Sequence, residues 1–330
     1  MNFSTLSRLS ATAAIGLLMT GTALADPGLI YDLGGKFDKS FNEAAYNGAE
    51  RWKAATGGNY LDFEITDGAQ REQALRRMVS QGANPIVVMS FNWASVLPVL
   101  ADEYPDVSFV VIDSVVDKPN VRSVVFDEHT GSFLVGALAA LKSETGKYGF
   151  VGGMDVPLIH KFYCGYAQGV KAVRADAEVF ENYTGTTPDA WNNPTVAGEL
   201  AKAAYDRGAE VVFAAAGGSG LGVIQAAQDN AKFAIGVDSN QNHLAPGFVL
   251  TSMEKRVDVA VETAFTDGPG LETGLQVLGL AENGVGYAVD DNNRSLLTDE
   301  MIAQLEDYKA KIIAGEITVH NYETDSQCPL

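Results

Sequence analysis

Short apolar segments alternate with amphipathic segments along the first half of the chain, which is typical of parallel strands covered by helices. We predict strands at residues 29–33, 60–65, 86–89, 109–112 and 121–125. We predict helices at residues 40–55, where Ser40 is the expected cap, at 70–80 and at 130–141. These elements predict one α/β lobe.

The same alternation starts again in the second half of the chain. We predict strands at residues 148–151, 179–183, 211–215 and 233–237, with helices at 159–173, 195–206 and 221–229. The segments VSQGANPIVVM and YDRGAEVVFAA each place a helix, a Gly-Ala turn and a buried strand in the same order. This internal echo supports a second lobe of the same kind.

The last elements are too few to form a third domain. They are strands at residues 249–251, 276–279 and 285–288 and helices at 256–265 and 299–314. We expect them to complete the two lobes, so that residues 26–124 and 253–281 form lobe 1 and residues 125–252 and 282–330 form lobe 2. Because the chain then crosses between two doubly wound lobes more than once, a multi-strand hinge and a closable cleft are expected.

The N-terminus has the pattern of a secretory signal peptide. Arg8 precedes an apolar run at residues 11–19, and Ala23-Leu24-Ala25 forms an Ala-x-Ala site. We expect cleavage after Ala25 and a periplasmic protein, the alternative being a cytosolic protein with an apolar first helix. No cysteine lies near this site, so no direct membrane anchor is expected.

Charge and cysteine content narrow the possible partners. The chain has 23 basic and 42 acidic residues, a formal net charge of −19, which disfavours nucleic acid and anionic lipid. We expect a monomer. Cys164 and Cys328 are too few for a zinc ribbon, but in an oxidising compartment they can form a disulfide that attaches the tail to lobe 2. The alternative is one buried thiol and one free tail thiol.

Ligands of open parallel sheets bind beyond the carboxyl ends of the strands, which selects a few loops. The loop DLGGKFDKSFN follows the first strand and contains Asp38, Lys39, Phe41 and Asn42. Its density of polar and aromatic side chains indicates a binding site. The alternative is that Ser40 or Asp38 only caps the next helix and that Phe41 belongs to the core.

Three further polar residues follow strands. Ser90 follows the third strand, Asp127 the fifth, and Asp238 the strand at residues 233–237. A carboxylate can accept hydrogen bonds from two neighbouring hydroxyl groups, so Asp127 and Asp238 suit a sugar diol. Each could instead cap the helix that follows it.

Several kinds of active site lack support in the sequence. The loop AAAGGSGLG fits neither a phosphate-binding loop nor a nucleophile elbow, so we expect it to bring backbone close to an uncharged ligand. The histidines show no paired metal-binding spacing; they are His129, His160, His243 and His320. We therefore expect no metal, no cofactor and no enzymatic activity.

Six segments together resemble the basic membrane protein family of ABC-transporter substrate-binding proteins, which includes purine nucleoside receptors. They are, in chain order, DLGGKFDKSFNEAAYNG, FDEHTGSFLVGALAA, YGFVGGMDVPLIHKFYCGYAQG, AAAGGSGLGV, GVDSNQ and VLTSMEKRVDVA. The resemblance spans nearly the whole chain after the leader. It implies the type I periplasmic binding protein fold.

The resemblance also implies roles for individual residues. A purine would lie between Phe41 and an aromatic residue of lobe 2, either Trp191 or, because the segment around Trp191 departs from the family pattern, Phe162. The base edge would meet Asp38, Lys39 or Asn42. The ribose hydroxyls would meet Asp127, Asp238 and Lys255, and Gly218 would allow close approach of backbone.

These observations predict a periplasmic receptor that binds a purine nucleoside between its lobes and transfers it to an ABC-transporter permease. A receptor for another sugar-bearing or aromatic solute is the nearest alternative. A periplasmic nucleoside hydrolase is the alternative from another class.

Overall fold

The computed structural model describes residues 25–330, so all of the expected signal peptide except Ala25 lies outside the described residues. The strands, in chain order, are β1 Gly28–Tyr31, β2 Leu61–Glu64, β3 Ile86–Val88, β4 Phe109–Ile112, β5 Val121–Phe126, β6 Lys147–Met154, β7 Glu178–Gly185, β8 Val211–Ala215, β9 Phe233–Asp238, β10 Val249–Lys255, β11 Gly274–Leu278 and β12 Val285–Tyr287. The helices are α1 Phe41–Thr56, α2 Arg71–Ser80, α3 Leu97–Glu103, α4 Glu128–Lys142, α5 Pro157–Val173, α6 Pro194–Asp206, α7 Gly220–Asp229, α8 Val257–Asp267 and α9 Asp299–Ile313.

The strands form two six-stranded sheets, one in each lobe. The first sheet has the order β11-β5-β4-β3-β1-β2, and all its neighbouring strands are parallel. The second has the order β12-β10-β9-β8-β6-β7, in which only β12 is antiparallel to its neighbour. The prediction of two doubly wound α/β lobes is therefore confirmed.

Alternate side chains of one strand pack into different helical layers, as a buried parallel strand requires. Leu29 and Tyr31 of β1 belong to the same core cluster as Val261 of α8. Ile30 points to the opposite face and belongs to the cluster that contains Leu97 of α3. Each sheet is thus covered by helices on both sides, which leaves the strand ends as the accessible part.

Within residues 25–330 the chain passes between the sheets after Phe126, after Lys255 and between Leu278 and Val285. The expected boundaries put residues 125–126 in lobe 2 and residues 253–255 in lobe 1, whereas these residues pair in the first and second sheet, respectively. The division into lobes stays our proposal, with these two crossings moved to the ends of β5 and β10.

The sequence prediction missed helix α3. The prediction assigned no element between residues 89 and 109, a segment that contains Pro98. In the structure Pro98 lies in the first turn of α3, where its missing N–H has no cost. The cap of α1 also differs, since the Ser40 side chain makes no capping hydrogen bond.

Glycines bring α4 and α5 unusually close together. A Cβ atom at Gly136 would lie 2.1 Å from the carbonyl oxygen of Tyr166, and one at Gly165 would lie 2.2 Å from that of His129. Only glycine fits at such contacts, because real Cβ atoms do not approach a carbonyl this closely. This close contact fixes α5, which forms one wall of the cleft, against α4, the helix that follows the first passage of the chain between the lobes.

The tail after α9 is attached to α5. Cys164 and Cys328 form a disulfide with their Cα atoms 5.5 Å apart, which corresponds to the first of the two arrangements that the sequence left open. Among the helices of residues 25–330, none has both the length and the apolar character that crossing a bilayer requires.

Candidate functional site

A cavity of about 610 Å³, counting the space at its mouth, lies between the carboxyl ends of the two sheets. Lobe 1 contributes Asp32, Leu33, Asp38, Phe41, Asn42, Ser90, Phe91 and Asp113. Lobe 2 and the end of β10 contribute Leu158, Ile159, Phe162, Trp191, Ala215, Gly217, Val237, Asp238 and Lys255.

Aromatic rings from both lobes surround one ammonium group. The Nζ atom of Lys255 lies 5.3 Å from the ring centre of Phe41 in lobe 1 and 5.7 Å from that of Phe162 in lobe 2. Trp191 forms another part of the wall, and its Cβ atom would be 3.2 Å from a Cβ at Gly34 of lobe 1. Aromatic side chains of both lobes therefore line the cavity.

A cluster of buried charges lies at the end of β10. Lys255 Nζ contacts Asp113 Oδ2 at 2.7 Å and Glu128 Oε1 at 2.9 Å. Lys161 Nζ contacts the other oxygen of Glu128 at 2.8 Å. Asp238 adds a further buried carboxylate on the side of lobe 2. Charges this deeply buried persist only when they are paired in this way.

The cluster changes the acidity of its members. Burial alone would lower the pKa of Lys255, but the carboxylates of Asp113, Glu128 and Asp238 raise it above the ordinary lysine value. Burial would raise the pKa of Glu128, yet Lys255 and Lys161 hold it below its usual range. Burial raises the pKa of Asp238, and Lys255 and Ser40 offset this only in part. Lys255 and Glu128 are therefore charged at neutral pH.

The two lobes touch each other across the cavity. Ser40 Oγ donates to Asp238 Oδ2 at 2.5 Å, and Ser239 Oγ donates to the carbonyl oxygen of Ser40 at 3.2 Å. Gln241 Nε2 donates to the carbonyl oxygen of Lys39 at 2.8 Å. The structure thus has the closed arrangement of the two lobes.

Several residues of the cleft have a backbone conformation that is costly for side chains other than glycine. The φ angles of Lys39, Ser90, Asp113 and Asp238 are 61°, 93°, 66° and 63°. Such conformations cost about 1–3 kcal/mol each and persist where the surroundings enforce them, often at functional sites. Three of these residues, Ser90, Asp113 and Asp238, place polar side chains at the cavity.

The loop after β1 is held by its own side chains. The carboxylate of Asp38 accepts hydrogen bonds from the backbone N–H groups of Ser40, Asn42 and Glu43, so it caps α1. The amide of Asn42 donates to the carbonyl oxygens of Asp32 and Gly35 and accepts from the backbone N–H of Asp32. Asp38 and Asn42 therefore shape this wall of the cavity.

The structure brings most of the sequence-predicted site residues together. Those that line the cavity are Asp38, Phe41, Asn42, Ser90, Phe162, Trp191, Asp238 and Lys255. Lys39, Asp127 and Gly218 are not among the lining residues. For these three the role in ligand binding stays a prediction, and in each case a neighbour in the same loop lines the cavity or joins its charged cluster.

Each of the three has a physical reason to lie elsewhere. The Lys39 side chain turns to the surface, where it pairs with Glu43 at 3.0 Å. Asp127 packs against Gly279, where an added Cβ would lie 2.7 Å from its Oδ2 atom, and the next residue, Glu128, reaches Lys255 instead. Gly217, which has a φ of 55°, takes the lining position next to Gly218.

Sequence reasoning missed Asp113, Glu128 and Lys161. Asp113 directly follows β4, so the rule that selected Asp127 and Asp238 would also have found it. Nothing in the local sequence marks Glu128 and Lys161, because helix α4 and helix α5 must first pack together before these side chains meet. Residues 25–330 contain no group of three or more His, Cys, Asp or Glu side chains arranged for a metal ion.

Comparisons with known proteins identify a family. Residues 26–323 match the family described as ABC transporter substrate-binding protein PnrA-like. A CD4+ T-cell-stimulating antigen of Listeria monocytogenes is 31% identical over 321 residues, which cover 88% of this chain and 87% of the relative. The ABC transporter nucleoside-binding protein BmpA of Lactococcus lactis is also 31% identical, over 88% of each chain.

A solved structure agrees with these relatives. The ABC transporter solute-binding protein of Aeropyrum pernix K1 superposes with a TM-score of 0.79 at 28% identity, over 89% of this chain and 92% of that one. The fold is therefore that of the periplasmic binding proteins, and the family resemblance read from the sequence is confirmed.

Proposed function

The chain belongs to the PnrA-like family of ABC transporter substrate-binding proteins, and from this premise we propose that it binds a purine nucleoside and delivers it to an importer. The family consists of solute-binding receptors, which bind a small-molecule ligand and interact with a transporter permease. The relative from Lactococcus lactis is a nucleoside-binding protein by name. The purine nucleoside is our extension of that family function to this chain.

One observation carries the proposal: flat rings and buried charges meet at a single point between the lobes. Lys255 Nζ lies within 6 Å of the rings of Phe41 and Phe162 and contacts Asp113 directly. A purine stacked on such rings gains about 0.5–1.5 kcal/mol per aromatic pair beyond the area it buries. The ribose would then reach the charged cluster.

The polar groups of the cluster match a diol. Lys255 has three N–H donors; among the described residues its Nζ donates to Asp113 Oδ2 and forms an ion pair with Glu128 Oε1, so at least one donor remains for a ligand oxygen. Asp113 Oδ1 is buried and makes no hydrogen bond to any described residue. A hydroxyl pair that accepts from Lys255 and donates to Asp113 and Asp238 would satisfy these groups. A ligand without it would leave them unpaired, which costs about 1–3 kcal/mol per group.

The charge of the cavity argues against a phosphorylated ligand. Its lining contains Asp32, Asp38, Asp113 and Asp238 but, within the described residues, only one lysine, Lys255. A phosphate would bring two more negative charges next to these carboxylates. We therefore infer a neutral nucleoside.

Delivery would follow from the hinge. A ligand that contacts both lobes stabilises the closed arrangement, and the closed arrangement is what a permease can distinguish from the empty, open receptor. We place this exchange in the periplasm, on the basis of the leader sequence and the ABC-transporter family, with cleavage after Ala25 as our expectation.

The test is a panel of inosine, guanosine, adenosine, their 5′-monophosphates, the free bases and ribose, followed by thermal unfolding and isothermal titration calorimetry. We expect nucleosides to raise the melting temperature and the monophosphates to have no effect. A response to sugars or other aromatic solutes alone would favour the alternative receptor. Recovery of free base after incubation with inosine, measured by chromatography, would favour a nucleoside hydrolase.

A further inference from the structure

We propose that the C-terminal strap, defined as residues 318–330, is a positioning element for the ligand cleft, in which Glu323 fixes the ammonium of Lys255 through Lys161 and Glu128. The inference rests on the proposed function, because it concerns the same cleft. The residue that it adds to the site, Glu323, lies outside the cavity, in the short helical turn Tyr322–Thr324 near the C-terminus.

The strap holds one side of α5 through four neighbouring positions. Gln168 exchanges two hydrogen bonds with the backbone of His320, at 2.8 and 3.0 Å. The ring of Tyr322 stacks on His160 with 4.8 Å between centres. The other two contacts are the ion pair of Glu323 with Lys161 and the disulfide of Cys328 with Cys164.

The opposite side of α5 faces the cavity. Ile159 and Phe162 are one turn apart on the helix, and both line the cleft. The strap and the ligand would thus press on the same helix from two sides. A change in the attachment of the strap can move a cleft wall without touching the ligand.

The ammonium of Lys161 depends on the strap for one of its two carboxylate partners. Its side chain is only 5% exposed; its Nζ atom donates to the carbonyl oxygen of Phe126 at 2.8 Å and forms ion pairs with Glu128 Oε2 at 2.8 Å and Glu323 Oε2 at 3.1 Å. Loss of the Glu323 charge would leave Glu128 as the one carboxylate paired with Lys161 among the described residues, and a buried cation is stable only when it is paired.

Glu128 transmits this effect to the cleft. Its carboxylate is 1% exposed, with one oxygen on Lys161 and the other on Lys255. Charges therefore alternate from the strap to the cavity, in the order Glu323, Lys161, Glu128, Lys255, Asp113. When Lys161 loses the charge of Glu323, it draws Glu128 more strongly and weakens the contact of Glu128 with Lys255, because charges interact strongly in a medium of low dielectric constant.

The disulfide keeps Glu323 in place. The Glu323 side chain is 41% exposed, and an exposed ion pair alone contributes little because two flexible chains must be ordered. Cys328 lies five residues further along and ties the strap to the same helix that carries Lys161. Reduction of the disulfide should therefore weaken the same contact that removal of the carboxylate abolishes.

The first test compares two strap variants by calorimetric titration with inosine. We expect Glu323→Gln to bind about 3- to 30-fold more weakly, the range found for residues coupled to a site through a network. Asp325→Asn is the matched control, since Asp325 is a strap carboxylate that contacts His320 at 2.9 Å and not Lys161; it should change affinity less than twofold. Reduction should weaken the wild type but add nothing to Glu323→Gln, because both remove one contact.

The second test needs no nucleoside. Buried lysine ammonium groups give distinct ¹H–¹⁵N resonances, and that of Lys255 can be assigned by its absence in Lys255→Met. We expect Glu323→Gln to shift this resonance and Asp325→Asn to leave it in place. If the wild type binds no nucleoside, the proposed function fails and this spectrum alone decides the role of the strap.

Three results would overturn the inference. They are an unchanged Lys255 resonance in Glu323→Gln, equal effects of Glu323→Gln and Asp325→Asn, and wild-type inosine affinity in Glu323→Gln. The second result would mean that the strap stabilises the protein in a general way.

Discussion

The two polar walls of the cleft differ in how far the protein already satisfies them. In the loop after β1, the carboxylate of Asp38 accepts three backbone N–H groups and the amide of Asn42 is fully engaged with backbone. In the cluster at the end of β10, and counting partners among the described residues, Asp113 keeps one oxygen unpaired and Lys255 keeps at least one donor.

The two walls therefore have different roles: the first gives the cavity its shape, and the second selects the ligand. The side chains of the first wall hold a loop in place, so a ligand there meets a preformed surface. The second wall has unmet hydrogen-bonding groups in a buried setting, so it favours a ligand that supplies the missing partners and penalises others. We therefore expect mutations in the second wall to have the larger effects on affinity.

The largest effect should come from Lys255→Met. Removing the ammonium leaves Asp113, Glu128 and Asp238 without their shared cation, and breaking a buried pair in this way costs about 3–5 kcal/mol of stability. Thermal unfolding should show the loss, and calorimetry should show at least about 100-fold weaker nucleoside binding. Lys39→Met, at the rim of the same cleft, is the control. Equal behaviour of the two variants would contradict the contrast between the walls.

A smaller effect is expected from Asp238→Asn. The change removes a charged acceptor from the cavity but keeps the size of the side chain, so affinity should fall about 10- to 150-fold, the worth of a hydrogen bond to a charged group. Asp127→Asn is the matched control, because Asp127 lies outside the lining residues and should keep affinity within about twofold. A loss in Asp127→Asn as large as that in Asp238→Asn would restore the original assignment of Asp127.

The smallest effect concerns pH and the first wall. Burial raises the pKa of Asp38 from its ordinary value of 3.8 to about 7, although backbone hydrogen bonds from Glu43, Ser40 and Asn42 oppose the change. The folded protein therefore binds this proton more tightly than the unfolded chain does. The resulting stability is present below about pH 4 and is lost as pH rises through about 7.

We expect the wild type to exceed Asp38→Asn in melting temperature by more at pH 5 than at pH 7.5. The excess should grow by at least about 2 °C, the shift that 1 kcal/mol produces in a domain of this size. Comparing variants cancels the opposite contribution of His129, whose pKa burial lowers to about 4. A difference in melting temperature that is the same at the two pH values would contradict the prediction.

The fold was largely predictable because its signals are local. The strand at residues 109–112 was predicted at its observed bounds, and most other elements differ by one to three residues at their ends. Helix α3 was missed, although its Pro98 lies in the first helical turn, a position that proline favours. The spacing of apolar residues can be read directly from the sequence. The number and order of helices and strands could therefore be predicted without knowing how they pack.

The site was predictable only in part. The strand-end rule found Phe41 and Asp238, since it depends on where a strand stops, and the family resemblance found Lys255. It could not distinguish Asp127 from Glu128, because the direction of each side chain at the start of α4 depends on how that helix sits on the second sheet.

The sequence alone thus determined two α/β lobes, the loops that border the cleft and the family to which the chain belongs. Only the tertiary structure decided which charges meet: Lys255 pairs with Asp113 across 142 residues, and Lys161 joins the hinge to the strap. The physical reason is that a hydrophobic repeat is a property of neighbouring residues. An ion pair in a buried cleft exists only after distant helices and strands have packed together.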